Sequence, residues 1–294
     1  MKPLTLTVER DTIAAMQTIN STVHLTDGVE IPRVGFGTYR VTGTATTSVI
    51  SKALDAGYRL FDTAELYANE ADLGAAFAAI GAKRSDLFLT SKVWNNHQGY
   101  KATRDALQQT LERLKTDYLD LYLIHWPCPD RDTYVDTWRA LIKARDEGLI
   151  TSIGVSNFQP EHMQRLVEET GVLPVLNQVE VHPHFNQARL RTWHLENGIA
   201  TQSWGPLGQR AGDLLGAEPV VRLAKEVRKS PGQVVLRWHL QRDCLPIPKS
   251  TNPQRIVDNI DLFDFDLNEE QMQLIDRMHT GQRQGEDPDE KNDS

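Results

Sequence analysis

The 294-residue chain is long enough for two ordinary domains or one α/β barrel, and its 39% hydrophobic and 24% charged residues suit a soluble globular protein. No apolar run approaches the roughly 20 residues of a membrane span, which excludes a helical membrane protein. A net charge of -8 argues against a general nucleic-acid binder, while leaving room for a local basic pocket that holds one phosphorylated small molecule. Cys128 and Cys244 form neither a metal-site spacing nor a disulfide framework, which fits a reducing cytoplasm.

In chain order, residues 1–22 come first, without a clear period and without the continuous apolar segment of a secretory signal. They are expected to form a loosely attached N-terminal extension. Apolar, β-rich runs then alternate with helical segments. IPRVGFGTY leads to TTSVISKALDAG, YRLFDT to NEADLGAAFAAIG, LFLTSKVW to KATRDALQQTLERLK, and YLDLYLIHW to TYVDTWRALIKARDEG. The second half continues with ITSIGVSNF and PEHMQRLVEETG, PVLNQVEVH and QARLRTWHLENG, IATQSWGPL and PVVRLAKEVRK, then CLPIPKS and NPQRIVDNIDLF. Several helical segments end in glycine, as C-terminal stops do.

The two kinds of segment differ in period. In DALQQTLERLK, Ala106, Leu107, Thr110, Leu111 and Leu114 follow helical three- and four-residue spacing, which predicts one core face and one wet face. YLDLYLIHW is apolar on both alternating faces apart from Asp120, as a parallel strand covered on both sides requires. Eight such β/α units predict an α/β fold of the (β/α)8 TIM barrel type, as a single domain over residues 23–280. The alternative is a doubly wound open sheet, which would be expected to carry GxGxxG after its first strand. The first run offers only GFGTY, without a third glycine. LNEEQMQLIDRM predicts an extra C-terminal helix with Asn268 as its N-cap, and residues 281–294 are expected to be an acidic, flexible tail.

In a parallel barrel, strand C-termini share one face, and active sites are built there. Asp62 ends the second run with Tyr67 just beyond it, Lys92 lies in the third and His125 ends the fourth. Singly, each has a structural explanation as a cap, a packing ring, a solvated cation or a hydrogen-bonded imidazole. Together they form a chemical unit. An ammonium beside a tyrosine favours the phenolate, an aspartate holds that ammonium, and the histidine can orient a substrate carbonyl. The expectation from sequence is a phenol able to give up its proton near neutral pH.

DTAELYANE, TSKVW, LIHWP, GVSNF and IPKSTNPQRIVDN resemble the signature segments of the aldo-keto reductases, in order and spacing, from about Thr26 to Met278. SWGPLGQ adds a likeness to the bacterial 2,5-diketo-D-gluconic acid reductase type. The resemblance implies an NADPH-dependent carbonyl reductase in which Tyr67 protonates the carbonyl oxygen, Asp62 and Lys92 tune it, and His125 positions the substrate. It also implies that NADPH/NADP+ lies across the barrel top, so that a missing GxGxxG is expected. Ser156, Asn157 and Gln178 match the positions that hold the nicotinamide carboxamide, and Trp204 matches the aromatic that stacks on its ring. Lys249, Ser250, Thr251 and Arg255 match the 2′-phosphate site, and Asn259 matches an adenine contact. Asp258 stands where many relatives have glutamate. Thr38, Asp62, Gly205, Leu207 and Gln209 complete the cofactor path. Tyr39, Trp94, His125 and Trp126 match the substrate pocket.

The expected partner is therefore a small-molecule carbonyl compound (a small aldehyde, dicarbonyl or keto-sugar), with no nucleic acid, membrane or metal, in a cytoplasmic monomer. The sparse apolar content of residues 279–294 suggests a rather open pocket. A cofactor-bound sensor with little turnover is the non-enzymatic alternative, and the intact set Asp62, Tyr67, Lys92 and His125 speaks against it. An enzyme working mainly as an alcohol dehydrogenase is a third reading, which differs only in reaction direction.

Overall fold

The computed structural model describes residues 18–208 and 211–293. The expected extension lies mostly outside the described residues. An antiparallel hairpin of β1 (Thr22–His24) and β2 (Glu30–Pro32) precedes the barrel. Eight strands then pair side by side and in parallel, in chain order: β3 (Gly35–Gly37), β4 (Leu60–Asp62), β5 (Phe88–Val93), β6 (Leu119–Ile124), β7 (Ile150–Ser156), β8 (Leu176–Glu180), β9 (Ala200–Trp204) and β10 (Cys244–Pro246). Where β10 returns to β3, Gly37 donates its amide to the Pro248 carbonyl at 3.2 Å. The glycines of GFGTY serve this seam, since a Cβ on Gly37 would stand 2.8 Å from the Ile247 carbonyl oxygen. The open doubly wound sheet is thereby excluded, and the fold is a (β/α)8 barrel.

The helices follow the strands: α1 (Thr46–Ala56), α2 (Glu70–Ile80), α3 (Tyr100–Leu114), α4 (Tyr134–Asp146), α5 (Pro160–Thr170), α6 (Ala188–Glu196), α7 (Ala211–Leu215), α8 (Glu218–Val227), α9 (Pro231–Gln241), α10 (Pro253–Asp258) and α11 (Glu269–Asp276). The predicted inner face of α3 is the buried one, with Ala106, Leu107, Thr110, Leu111 and Leu114 all in the core. Gly57 and Gly81 adopt left-handed conformations that end α1 and α2. Asn268 caps α11 as expected, in a reciprocal capping box with Gln271.

Helix α9 has no counterpart in the sequence reading. Its residues Gln233 to Leu240 are all buried, the polar Gln233, Arg237 and His239 included, and its opening Pro231-Gly232 resembles a turn.

The two barrel mouths are closed differently. Leu25 and Ile31 of the hairpin pack onto Leu60, Phe88 and Leu176, the first residues of their strands, and plug the N-terminal mouth with apolar atoms. At the other mouth, residues 284–293 form a strap in place of the loose tail expected from composition. The amides of Gln284 and Gly285 bond to Glu180, Asn292 bonds to Asp130 and Arg131, and the Asp293 carbonyl accepts from Asn95. Among the described residues, no helix is long and apolar enough to cross a membrane.

Candidate functional site

Strand register brings the four expected catalytic side chains to one mouth. Asp62 is the last residue of β4, Lys92 is next to last in β5 and His125 follows β6 directly. Tyr67 ends a short 3-10 turn, Glu65–Tyr67, between β4 and α2. The Lys92 ammonium donates to Asp62 Oδ1 at 2.6 Å and to the Thr63 carbonyl at 2.8 Å. Gln178 Nε2 donates to the other Asp62 oxygen at 2.7 Å and to Gln202 Oε1 at 2.7 Å. Lys92 and Asp62 are essentially inaccessible to solvent. Each charge has a partner within hydrogen-bond reach, which offsets the cost of burial, although burial outweighs Lys92 and Gln178 at Asp62 and raises its carboxyl above the ordinary value.

Above this pair the Tyr67 ring faces the Lys92 ammonium, which is 5.2 Å from the ring centroid. The rings of Tyr67 and His125 stand edge to face with centroids 6.0 Å apart, while Tyr39 leans on Tyr67 and Trp94 on His125. Burial works against the Lys92 charge, but Asp62 and Tyr67 outweigh it and raise the ammonium pKa above the ordinary value. Burial raises the Tyr67 phenol as well, and the Lys92 ammonium opposes that shift without overcoming it. The balance therefore favours the protonated phenol of Tyr67, opposite to the direction expected from the Lys92 ammonium alone. Burial, then Lys92 and Lys291, push His125 well below the usual imidazole range, so its ring is neutral. Its Nδ1 is buried and has no hydrogen-bond partner among the described residues.

These residues form the floor of a cleft of about 1250 Å³. The cleft is lined by Thr38, Tyr39, Asp62, Tyr67, Trp94, His125 and Trp126, and by Ser156, Asn157, Gln178, Trp204, Gly205 and Leu207. Lys249, Ser250, Arg255 and Asn259 line its far end, whereas Lys92 lies beneath the floor and Thr251 stands outside the lining. Gln209 lies outside the described residues.

Asn157 sits in the left-handed region at φ 62, which turns its side chain back toward the barrel. Its Nδ2 donates to the His125 carbonyl at 3.0 Å, and its Oδ1 accepts from Trp204 Nε1 at 2.8 Å. Ser156 Oγ donates to the Gln178 carbonyl at 2.8 Å. Thr38 Oγ1 donates to the Asp62 carbonyl, and Asn69 Nδ2 donates to the Thr38 and Val41 carbonyls. Asn69 occupies the N-cap position of α2, yet its side chain caps nothing and instead ties the β3 and β4 loops together.

At the far end Arg40, Lys249 and Arg255 gather in the lining, and among the described residues no carboxylate lies within ion-pair distance of any of them. Burial and the nearby Arg40 lower the Lys249 ammonium. Uncompensated cations beside the Ser250 hydroxyl suit a phosphate group, and the polar floor suits an amide-bearing ring, so these residues fit a phosphorylated nicotinamide dinucleotide.

Sequence reasoning passed over Arg40, Glu65, Glu286 and Lys291. Arg40 adjoins Tyr39 and was findable as a third cation. Glu65 lies inside DTAELYANE and accepts from the Trp94 amide at 2.9 Å while its other oxygen meets His97 Nδ1 at 2.6 Å. Glu286 and Lys291 come from the strap and wall a side expected to be open.

Comparison with known proteins bears on the whole of this arrangement. The sequence profile described as the Aldo/keto reductase family matches residues 33–280. An aldo-keto reductase of Mycolicibacterium smegmatis is 48% identical, over 90% of this chain and 96% of its own length. The methylglyoxal reductase DkgA of Salmonella typhimurium is 44% identical, over 91% of this chain and 97% of its own. A variant of Gox0644 in complex with NADPH superposes with a TM-score of 0.88 at 41% identity, covering 92% of this chain and 98% of that one.

Proposed function

This chain belongs to the aldo/keto reductase family of NADP(H)-dependent oxidoreductases, and from that premise we propose that it reduces small aldehydes, dicarbonyls and keto-sugars to alcohols with Tyr67 as proton donor. The observation that carries the reading is the neutral phenol held over a buried Lys92–Asp62 pair and edge-on to a neutral imidazole. A bound nicotinamide would supply the hydride to the carbonyl carbon. Everything else falls to the protein's own side chains.

His125, neutral and with a ring nitrogen to donate, orients the carbonyl oxygen toward Tyr67. Tyr67 then transfers its phenolic proton to that oxygen as negative charge develops on it. The phenolate left behind faces the Lys92 ammonium, which is stabilising only once the proton has gone. Asp62, fixed by Gln178, keeps that ammonium in place through the cycle. Tyr39, Trp94 and Trp126 supply flat apolar walls that exclude water from the reacting carbonyl. Ser156, Asn157 and Gln178 would hold the carboxamide, Trp204 and Gly205 would pack on the ring, and Leu207 would line the path to the phosphate end. There Arg40, Lys249, Ser250 and Arg255 would take the 2′-phosphate, with Asn259 near the adenine.

The kinship with a methylglyoxal reductase favours small dicarbonyls among the substrates. Two buried, unpaired cysteines are consistent with a cytoplasmic enzyme, and we infer a monomer from the scarcity of exposed apolar groups. The decisive assay follows NADPH absorbance with methylglyoxal and a panel of aldehydes, beside Tyr67→Phe. Turnover by the wild type that the variant keeps in full would remove Tyr67 as the donor. Cofactor binding without turnover of any panel member would favour the sensor reading.

A further inference from the structure

Glu180 is the last residue of β8, two positions beyond Gln178, and its carboxylate is buried to 1% exposure. It points neither at the substrate floor nor at the phosphate end. Its Oε1 accepts the Gln284 amide at 2.7 Å and meets His182 Nε2 at 2.9 Å, and its Oε2 accepts the Gly285 amide at 2.8 Å. Burial alone would raise this carboxyl, but His182 and the two amides more than offset it and hold it below its ordinary value.

What this grip does is set by Gly285. A Cβ there would lie 2.5 Å from Cη2 of Trp204 and 3.0 Å from Glu180 Oε2, so the strap backbone lies directly on the indole edge. Trp204 is also held by its Nε1 bond to Asn157 Oδ1 at 2.8 Å. The indole is thus fixed by both a cleft-floor amide and the strap. Beyond Gly285 the strap crosses the mouth and is tied down again at Asn95, Asp130 and Arg131. It lies wholly outside the residues matched by the family profile.

We propose that Glu180 is a positioning residue: by gripping the amides of Gln284 and Gly285 it seats the strap against Trp204 and so fixes the wall on which the nicotinamide ring packs. The proposal rests on the reductase reading, because it takes Trp204 as the ring-facing wall. Two carboxylate oxygens and two consecutive amides make a bidentate contact that a neutral side chain can only half reproduce.

The test uses Glu180→Ala, Glu180→Gln, Gly285→Ala and the Gly285→Ala, Glu180→Ala double variant of the full chain. In the cofactor-free protein, amide exchange at residues 284 and 285 is expected to accelerate at least about tenfold in the single Ala variants. The Trp204 indole N–H resonance, assigned by its loss in Trp204→Phe, is expected to shift with it. The NADPH dissociation constant is expected to rise about three- to tenfold, with Glu180→Gln intermediate and the double variant no weaker than the worse single one. If Glu180→Ala fails to fold, Glu180→Gln carries the test, because it keeps the volume of the side chain and removes only its charge and one accepting oxygen. Loss of amide protection with an unmoved Trp204 resonance and NADPH affinity within twofold of wild type would overturn the proposal. So would additive losses in the double variant. Failure of the reductase reading would look different: the wild type would turn over no carbonyl compound, while amide exchange and the Trp204 resonance need no substrate.

Discussion

The two ends of the cleft treat charge in opposite ways. At the catalytic floor, Lys92 and Asp62 are inaccessible and are bonded to each other, with Thr63 accepting from the ammonium and Gln178 donating to the carboxylate. At the phosphate end, Lys249, Arg255 and Arg40 are exposed and carry no carboxylate partner among the described residues. A charge in a low-dielectric floor must be neutralised when the chain folds, whereas a hydrated charge at a rim can wait for its ligand. The floor is therefore part of the fold's stability and the rim is not, and mutations should separate the two.

The sharpest way to test the floor is to remove only the proton. Tyr67→Phe keeps the ring that packs on Tyr39 and His125, so the fold should persist while kcat for aldehyde reduction falls about 10²- to 10⁴-fold, the range for a lost general acid. A thermal midpoint unchanged alongside that loss would separate chemistry from packing. Lys92→Met tests the pairing itself. It strands a buried carboxylate and should destabilise the protein by about 3–5 kcal/mol in urea melts. Adding Asp62→Leu should recover much of that stability but none of the activity, and a Lys92→Met protein as stable as wild type would mean the pair is not buried as described.

At the rim the expectations reverse. Arg255→Ala should leave the melting curve unchanged and weaken NADPH about 10- to 100-fold, the worth of a charge-assisted hydrogen bond. NADH, which lacks the 2′-phosphate, should lose little. Equal losses for both cofactors would place the phosphate elsewhere. The effect on NADPH should also shrink with added salt, since the rim is open to solvent.

The same contrast explains what could be read from sequence. Strand-end Asp62, Lys92 and His125 were legible because a β-run ending in a polar residue already implies the C-terminal mouth of a barrel. The amphipathic helices were legible through their period. Helix α9 was not, because its opening Pro231-Gly232 resembles a turn and its polar Gln233, Arg237 and His239 are buried with the apolar residues. The raised phenol of Tyr67 was not, because sequence shows which groups are neighbours but not how far water is excluded from them. The strap was missed for a further reason. Apart from the Asn292 side chain, its grip uses the amides of Gln284 and Gly285 and the carbonyls of Asn292 and Asp293, and backbone groups leave no mark in side-chain chemistry. Composition saw only an acidic, apolar-poor segment.

The smallest expected effect is also the one that separates the roles of the two rings. His125 is neutral in the folded protein because burial and two cations hold its pKa well below the ordinary 6.5. A group already deprotonated cannot titrate as the pH passes through the usual imidazole range, so kcat/KM for reduction should show no inflection there. Tyr67 is shifted the other way and remains protonated through neutral pH, so the rate should stay level and decline only on the alkaline side, above the ordinary phenol value of about 10. The cations contribute unequally to His125: Lys92 is fixed in the barrel wall, while Lys291 reaches in from the strap. Lys291→Met should therefore raise the imidazole pKa slightly, and a weak acid limb should enter the profile from low pH while the alkaline limb stays where it was. An inflection near 6.5 in the wild-type profile would show that His125 titrates freely and that the floor is wetter than its packing implies.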